Sequence, residues 1–182
     1  MKKILLGLFL STFLFACNNQ KEEAAATPDA VTTTDAPKTG DEILAMSEGD
    51  EAKNSLMAFS KGDVNGMTAL YDDNAKFYWS GGDSLTGKKA IHDYYAGRLK
   101  LIESSTISQQ IVLPVRVNVS QSPTHTLGKW VLVWSNISVK YKNGKSLTFW
   151  THSDYHYNDA GKVDIAVYYI DRHPIMEATK GM

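Results

Sequence analysis

The chain has 182 residues, a formal net charge of −1 and a hydrophobic fraction of 43%. That length holds one domain with a sizeable core and is short for two ordinary ones. A weakly acidic chain without a basic block is a poor nucleic-acid binder, and a single cysteine excludes a disulfide within the chain.

Met1-Lys2-Lys3 open the chain, an apolar run follows from Ile4 to Phe13, and Leu14-Phe15-Ala16-Cys17 close it. The lysines hold the amino end on the cytoplasmic face, and the run is shorter than the roughly 20 residues of a spanning helix. The segment resembles a bacterial lipoprotein signal with its lipobox. The resemblance implies that residues 1–16 are a signal peptide, removed to leave Cys17 as a lipidated first residue. Cleavage removes two lysines and no acid, so the charge moves from −1 to −3. Two or more acyl chains anchor stably where one does not. The expected location is the bacterial cell envelope, anchored to the outer membrane by the lipid on Cys17. An ordinary secretory signal, or a membrane anchor with an incidental cysteine, is the alternative.

Residues 17–42 are dominated by Ala, Thr, Asp, Glu, Lys and Pro, with no aromatic residue. Such a segment buries too little to offset chain entropy and reads as a disordered tether. Within it, Gln20-Lys21-Glu22-Glu23 resembles the surface-export signal of Bacteroidota lipoproteins; a solvated charge run is the other reading. The folded domain is expected over 43–182.

Apolar residues at Ala45, Ala52, Leu56 and Phe59 predict a helix from Ile43 to Lys61, ended by Gly62. Asp63 is placed to cap a second, short helix carrying Val64, Met67, Leu70 and Tyr71. A strand over Lys76–Trp79 and a Gly/Ser turn at 80–84 precede a third helix with Ile91, Tyr94, Tyr95, Leu99 and Ile102 on one stripe. From about Thr106 the period becomes two. Pro114 marks its strand as an edge, or bulged there. Strands follow over 129–142, 146–157 and 162–171. Asn143-Gly144 predicts a two-residue hairpin turn, and Gly161 a longer loop. Helices segregated from an antiparallel sheet make an α+β domain.

Lys61-Gly62-Asp63, then Leu70-Tyr71-Asp72-Asp73-Asn74-Ala75-Lys76-Phe77, then Leu85-Thr86-Gly87-Lys88-Lys89-Ala90-Ile91, and last Tyr157-Asn158-Asp159-Ala160-Gly161-Lys162-Val163 with Tyr168 to Asp171, resemble the nuclear transport factor 2-like superfamily. SnoaL-like polyketide cyclases and ketosteroid isomerases belong to it. The resemblance spans about 43–173. It implies a cone-shaped, curved antiparallel sheet around N-terminal helices, a cystatin-like roll with a pocket at its open end, and homodimers through the outer sheet face. The isomerase base would fall at Trp79, its helix-one tyrosine at Ser55 and its protonated carboxyl at Ser153. Only a third-helix tyrosine, Tyr95, is retained. An indole cannot take a proton from carbon, so isomerase chemistry is not expected.

The expected pocket residues are Ser55, Phe59, Trp79, Tyr95, Trp134, Ser153 and Tyr155, around a small apolar or aromatic molecule. Nothing in the sequence asks for a cofactor. Thr151-His152-Ser153-Asp154-Tyr155-His156 is the densest chemical cluster. His152, Asp154 and His156 share one strand face. His152 with Asp154 is a candidate catalytic pair, and His152 with His156 a candidate metal pair. Counting from Gly161 turns Ser153 and Tyr155 inward and both histidines outward. A bulge would reverse that parity. Ligand binding, catalysis in the same fold, and a non-catalytic dimerisation module all remain open at this stage.

Overall fold

A computed structural model describes residues 40–120 and 126–182. The expected signal peptide, Cys17, the expected surface signal and nearly all of the expected tether lie outside the described residues. Of the residues expected in the tether, Glu42 joins the sheet and Asp41 is tied to its edge. The Asp41 carboxylate accepts from the Asn118 amide at 2.9 Å, and β1 (Glu42–Ile43) pairs with β4 (Ile102–Val117).

A 3-10 turn over Met46–Gly49 leads into α1 (Asp50–Ser60). Asp50 and Glu51 in its first turn complement the helix dipole. Gly62 takes φ 78° and donates to the Phe59 carbonyl at 2.9 Å, ending the helix where expected. Asp63 caps α2 (Val64–Thr68) by accepting from the Gly66 amide at 2.8 Å. The first strand arrives earlier than expected: β2 is Tyr71–Trp79, so Tyr71 is extended, not helical. A short β3 (Ser84–Thr86) leads to α3 (Lys88–Leu101). Ile102, expected on the helical stripe, instead begins β4 with no loop between.

The remaining elements are β5 (Gly128–Tyr141), β6 (Ser146–Tyr157), β7 (Val163–Tyr169) and α4 (His173–Thr179). The sheet order is β1-β4-β5-β6-β7-β2-β3. All pairings are antiparallel except β2 with β7. The sheet is curved and unclosed. The Asn143-Gly144 turn is one residue longer than expected. The Tyr141 amide donates to the Lys145 carbonyl at 2.8 Å, leaving a three-residue loop with Gly144 at φ 85°. Gly161, at φ 71°, closes the β6–β7 loop in the same way. Pro114 is not bulged: β4 shifts register between Ile102 and Ser104 and between Ile107 and Gln109. Among the described residues the two-residue β1 is the only strand on that side of β4, so Pro114 sits next to the edge, and its carbonyl accepts from Leu44 at 2.9 Å.

Alternation sorts the strands into two faces. On β5, Val131, Val133, Ser135, Ile137, Val139 and Tyr141 are buried on the inner face. On β6, Thr151, Ser153, Tyr155 and Tyr157 do the same. Facing them are Ala52, Leu56 and Phe59 of α1 and Ile91 and Tyr95 of α3. Two apolar clusters result. The larger one centres on Phe77, Tyr155 and Tyr168, the smaller on Ile137, Val139, Tyr141 and Ala178.

Candidate functional site

Between those clusters lies a cavity of about 240 Å³. Leu56, Phe59 and Met67 line it from the helices, Trp79 and Tyr168 from β2 and β7, and Ile137, Val139 and Thr151 from β5 and β6. α4 closes part of the mouth with Ile175 and Met176. Its position is fixed by the β5–β6 loop: Asn143 Nδ2 donates to the Ala178 carbonyl at 2.8 Å, and Lys145 Nζ to the Glu177 carbonyl at 3.0 Å.

Of the residues expected at the pocket, Phe59, Trp79 and Tyr95 line this cavity. Ser55 stands behind the wall, its hydroxyl donating to the Met67 carbonyl at 2.7 Å. Ser153 and Tyr155 face inward but lie in the packed layer beside the cavity. Trp134 is on the opposite face. It pairs with His152 across β5 and β6 and packs edge-on against that imidazole at 4.4 Å between centroids. Its even position on β5 dictates this, because the buried set there is odd-numbered.

Aromatic rings form one connected wall. Phe77 stacks on Tyr168 at 4.9 Å and meets Trp79 edge-on at 4.7 Å, and Phe59 meets Tyr95 at 5.7 Å. The Tyr155 and Tyr168 hydroxyls are 2.6 Å apart. Burial pushes the Tyr95 and Tyr155 hydroxyls well above the ordinary phenol range. Tyr168 is also raised by burial, with Tyr155, Ser153 and Tyr95 acting against it. These phenols stay protonated at neutral pH, so they can donate hydrogen bonds and cannot serve as bases.

Two charged groups at the cavity were missed by the sequence reasoning. Arg172 lies 5.0 Å over the Trp79 ring and is paired with Asp83. Arg98 of α3 approaches Tyr141, whose hydroxyl is raised by burial and held back by that guanidinium. Neither Asp, Glu, His, Lys nor Cys is among the described residues lining the cavity. A signal for Arg98 was present, since it follows Ile91, Tyr94 and Tyr95 at seven, four and three residues and so shares their helical face.

His152, Asp154 and His156 face outward. His152 Nε2 contacts the Asp154 carboxylate, beside Trp134 and Tyr169. Burial raises Asp154 above the usual carboxylate range, with His152 opposing. His156 is buried separately. Its Nδ1 lies 2.5 Å from Asp164 and its Nε2 2.9 Å from the Leu127 carbonyl. The two histidines thus have different partners. Among the described residues, no three His, Cys, Asp or Glu side chains come together as a metal site would need. No helix among them is long and apolar enough to cross a membrane.

A one-sided α+β roll with an aromatic-walled hollow between sheet and helices is the class that this geometry defines. The SnoaL-like domain model matches residues 52–164, and the chain belongs to that family. Solved structures with the same fold include a candidate polyketide cyclase from Xanthomonas campestris pv. campestris, 13% identical, covering 73% of this chain and 96% of its own, with a TM-score of 0.57. A candidate polyketide cyclase from Pseudomonas putida KT2440 is 14% identical, covers 74% and 99%, and also has a TM-score of 0.57. An M. tuberculosis LEH-like epoxide hydrolase is 13% identical, covers 74% and 90%, and has a TM-score of 0.52. At such identities the likeness is one of fold. No curated protein matches the chain in sequence.

Proposed function

We propose that this protein is an envelope-anchored lipoprotein whose SnoaL-like domain binds a small apolar or aromatic molecule in the cavity. The observation that carries the reading is the lining itself: aromatic and aliphatic walls, with no carboxylate or imidazole among them. Pockets of that composition bind by burying apolar surface and orient a ligand with a few polar groups. Proton abstraction needs a base within hydrogen-bond reach, and protonated phenols and arginines do not supply one. A cavity of about 240 Å³ has room for about eight waters at liquid density, which suits a ligand of one or two rings.

The binding test uses 2-naphthalenemethanol, a neutral bicyclic probe, titrated calorimetrically. Saturable one-site binding is expected. Val139→Phe, which turns a ring into the cavity, is expected to weaken it at least about tenfold. Overpacking costs typically 1–3 kcal/mol, and here the vacant space absorbs part of that. Absence of saturable binding, or equal binding by the variant, removes the reading.

A lyase, isomerase or hydrolase of the same fold acting in the cavity is the competing reading, which an inward-pointing His152–Asp154 pair would favour. That pair is in contact but lies on the sheet face away from the cavity. The same outer face carries Ile111, Trp150 and Tyr169, exposed by 58%, 49% and 46%. Exposed aromatics in one neighbourhood suit pairing of two copies through this face. Sedimentation of the full chain is expected to return a dimer; a monomer across the micromolar range removes that part.

A further inference from the structure

The cavity reading leaves the chemistry of the ligand's polar end open, and this inference rests on that reading and narrows it. Arg98 is the starting point. It lines the cavity on the inward face of α3, yet among the described residues it has no carboxylate partner. The other lining arginine, Arg172, has Asp83. The acids near it in the chain are committed elsewhere, Glu103 to Lys140 and Asp93 to Lys89. Arg98 reaches the Tyr141 hydroxyl, a neutral group.

A guanidinium in an apolar lining is costly to keep there unpaired, and it presents planar, forked donors that match a carboxylate two bonds at a time. Thr151 makes a second point. It lines the cavity, is 4% exposed, and its hydroxyl has no partner. Thr151 pairs with Ser135, six residues along β5 from Tyr141. Val139 and Ile137 lie between those two levels of the sheet, and Tyr168, in register with Ser153, lies beyond Thr151 with Trp79 beside it. The hollow therefore has a cationic end at Arg98, an aliphatic stretch at Val139 and Ile137, and a hydroxyl further along the sheet on the way to Trp79 and Tyr168.

We infer that the ligand is an apolar or aromatic monocarboxylate, its acid group held by Arg98 and its body lying against the apolar lining that Tyr94, Val139 and Ile137 provide. Tyr141 lies beside the guanidinium and adds a hydroxyl donor to the same oxygen. No covalent step is involved; the site holds an acid and releases it unchanged.

The test compares 2-naphthoate with 2-naphthalenemethanol on the full chain, its Arg98→Met variant and its Arg98→Lys variant. The carboxylate is expected to bind at least about tenfold tighter than the alcohol. Arg98→Met should remove that preference, and a cooperative urea transition shows that the variant is folded. Arg98→Lys should keep part of the preference, because the charge remains and the fork is lost. Equal affinity of the native chain for the two probes overturns the inference and leaves the apolar cavity standing. A carboxylate preference that survives Arg98→Met also overturns it. Binding of neither probe removes the cavity reading and this inference together.

Discussion

Phe77→Ala is expected to lower the unfolding free energy by about 3–5 kcal/mol, the range for removing a buried phenyl ring. Phe77 is 0% exposed and sits two residues before the end of β2. It contacts Trp79, Tyr95 and Tyr168, three residues that line the cavity, and Tyr71 behind them. The strand cannot collapse into the gap, because Phe77 is in register with Leu85 of β3 on one side and Ala166 of β7 on the other. Domains of this size carry about 5–15 kcal/mol in total, so the variant stands near the edge of folding. Urea unfolding of the two chains, compared by midpoint at constant slope, measures it. A loss under about 1.5 kcal/mol, the scale of a volume-conserving swap, would mean that the aromatic wall repacks freely. Ligand binding in any surviving folded fraction should fall too, since the wall that orients Trp79 and Tyr168 is gone.

Cys17→Ser is expected to release the protein from membranes completely and to abolish lipid labelling. The thiol is the only one in the chain, and a hydroxyl does not take its place in thioether formation. The folded domain offers no substitute anchor among its described helices. Removing a multi-chain lipid anchor is an all-or-none change, because even one remaining chain holds a protein only marginally. Fractionation after metabolic labelling with a radiolabelled fatty acid reads both effects. Retained label, or retained membrane association without it, refutes anchoring through this residue.

Much of the architecture was legible because single-residue periodicity and turn chemistry agreed. Val131, Val133 and Ser135 alternate with Leu132 and Trp134, and the two faces follow. Gly62, Gly144 and Gly161 stand where a left-handed residue is needed. The misses have local causes. Leu70 and Tyr71 fit either period, so the end of α2 was read too late. No glycine or proline separates Leu101 from Ile102, so the direct passage from α3 into β4 left no mark in composition. α4 carries Pro174 in its first turn and has only seven residues, too few for a stripe to declare itself. In the cavity, Phe59, Trp79 and Tyr95 could be found because ring size and spacing point inward together. Trp134 could not be assigned by size, since bulk says nothing about which side of a sheet a residue takes. Arg98 was passed over because hydropathy treats a guanidinium as surface wherever its stem is rooted.

One property of β5 reaches beyond this molecule. Ile137 and Val139 touch the hollow, whereas Trp134, Asn136 and Ser138, from the same stretch of chain, touch only what lies behind the sheet. If the hollow captures a ligand and the outer face pairs two copies, as proposed, mutational drift at odd positions retunes the first without disturbing the second, and drift at even positions does the reverse. A lineage carrying this strand would then change its cargo and its companions on separate clocks.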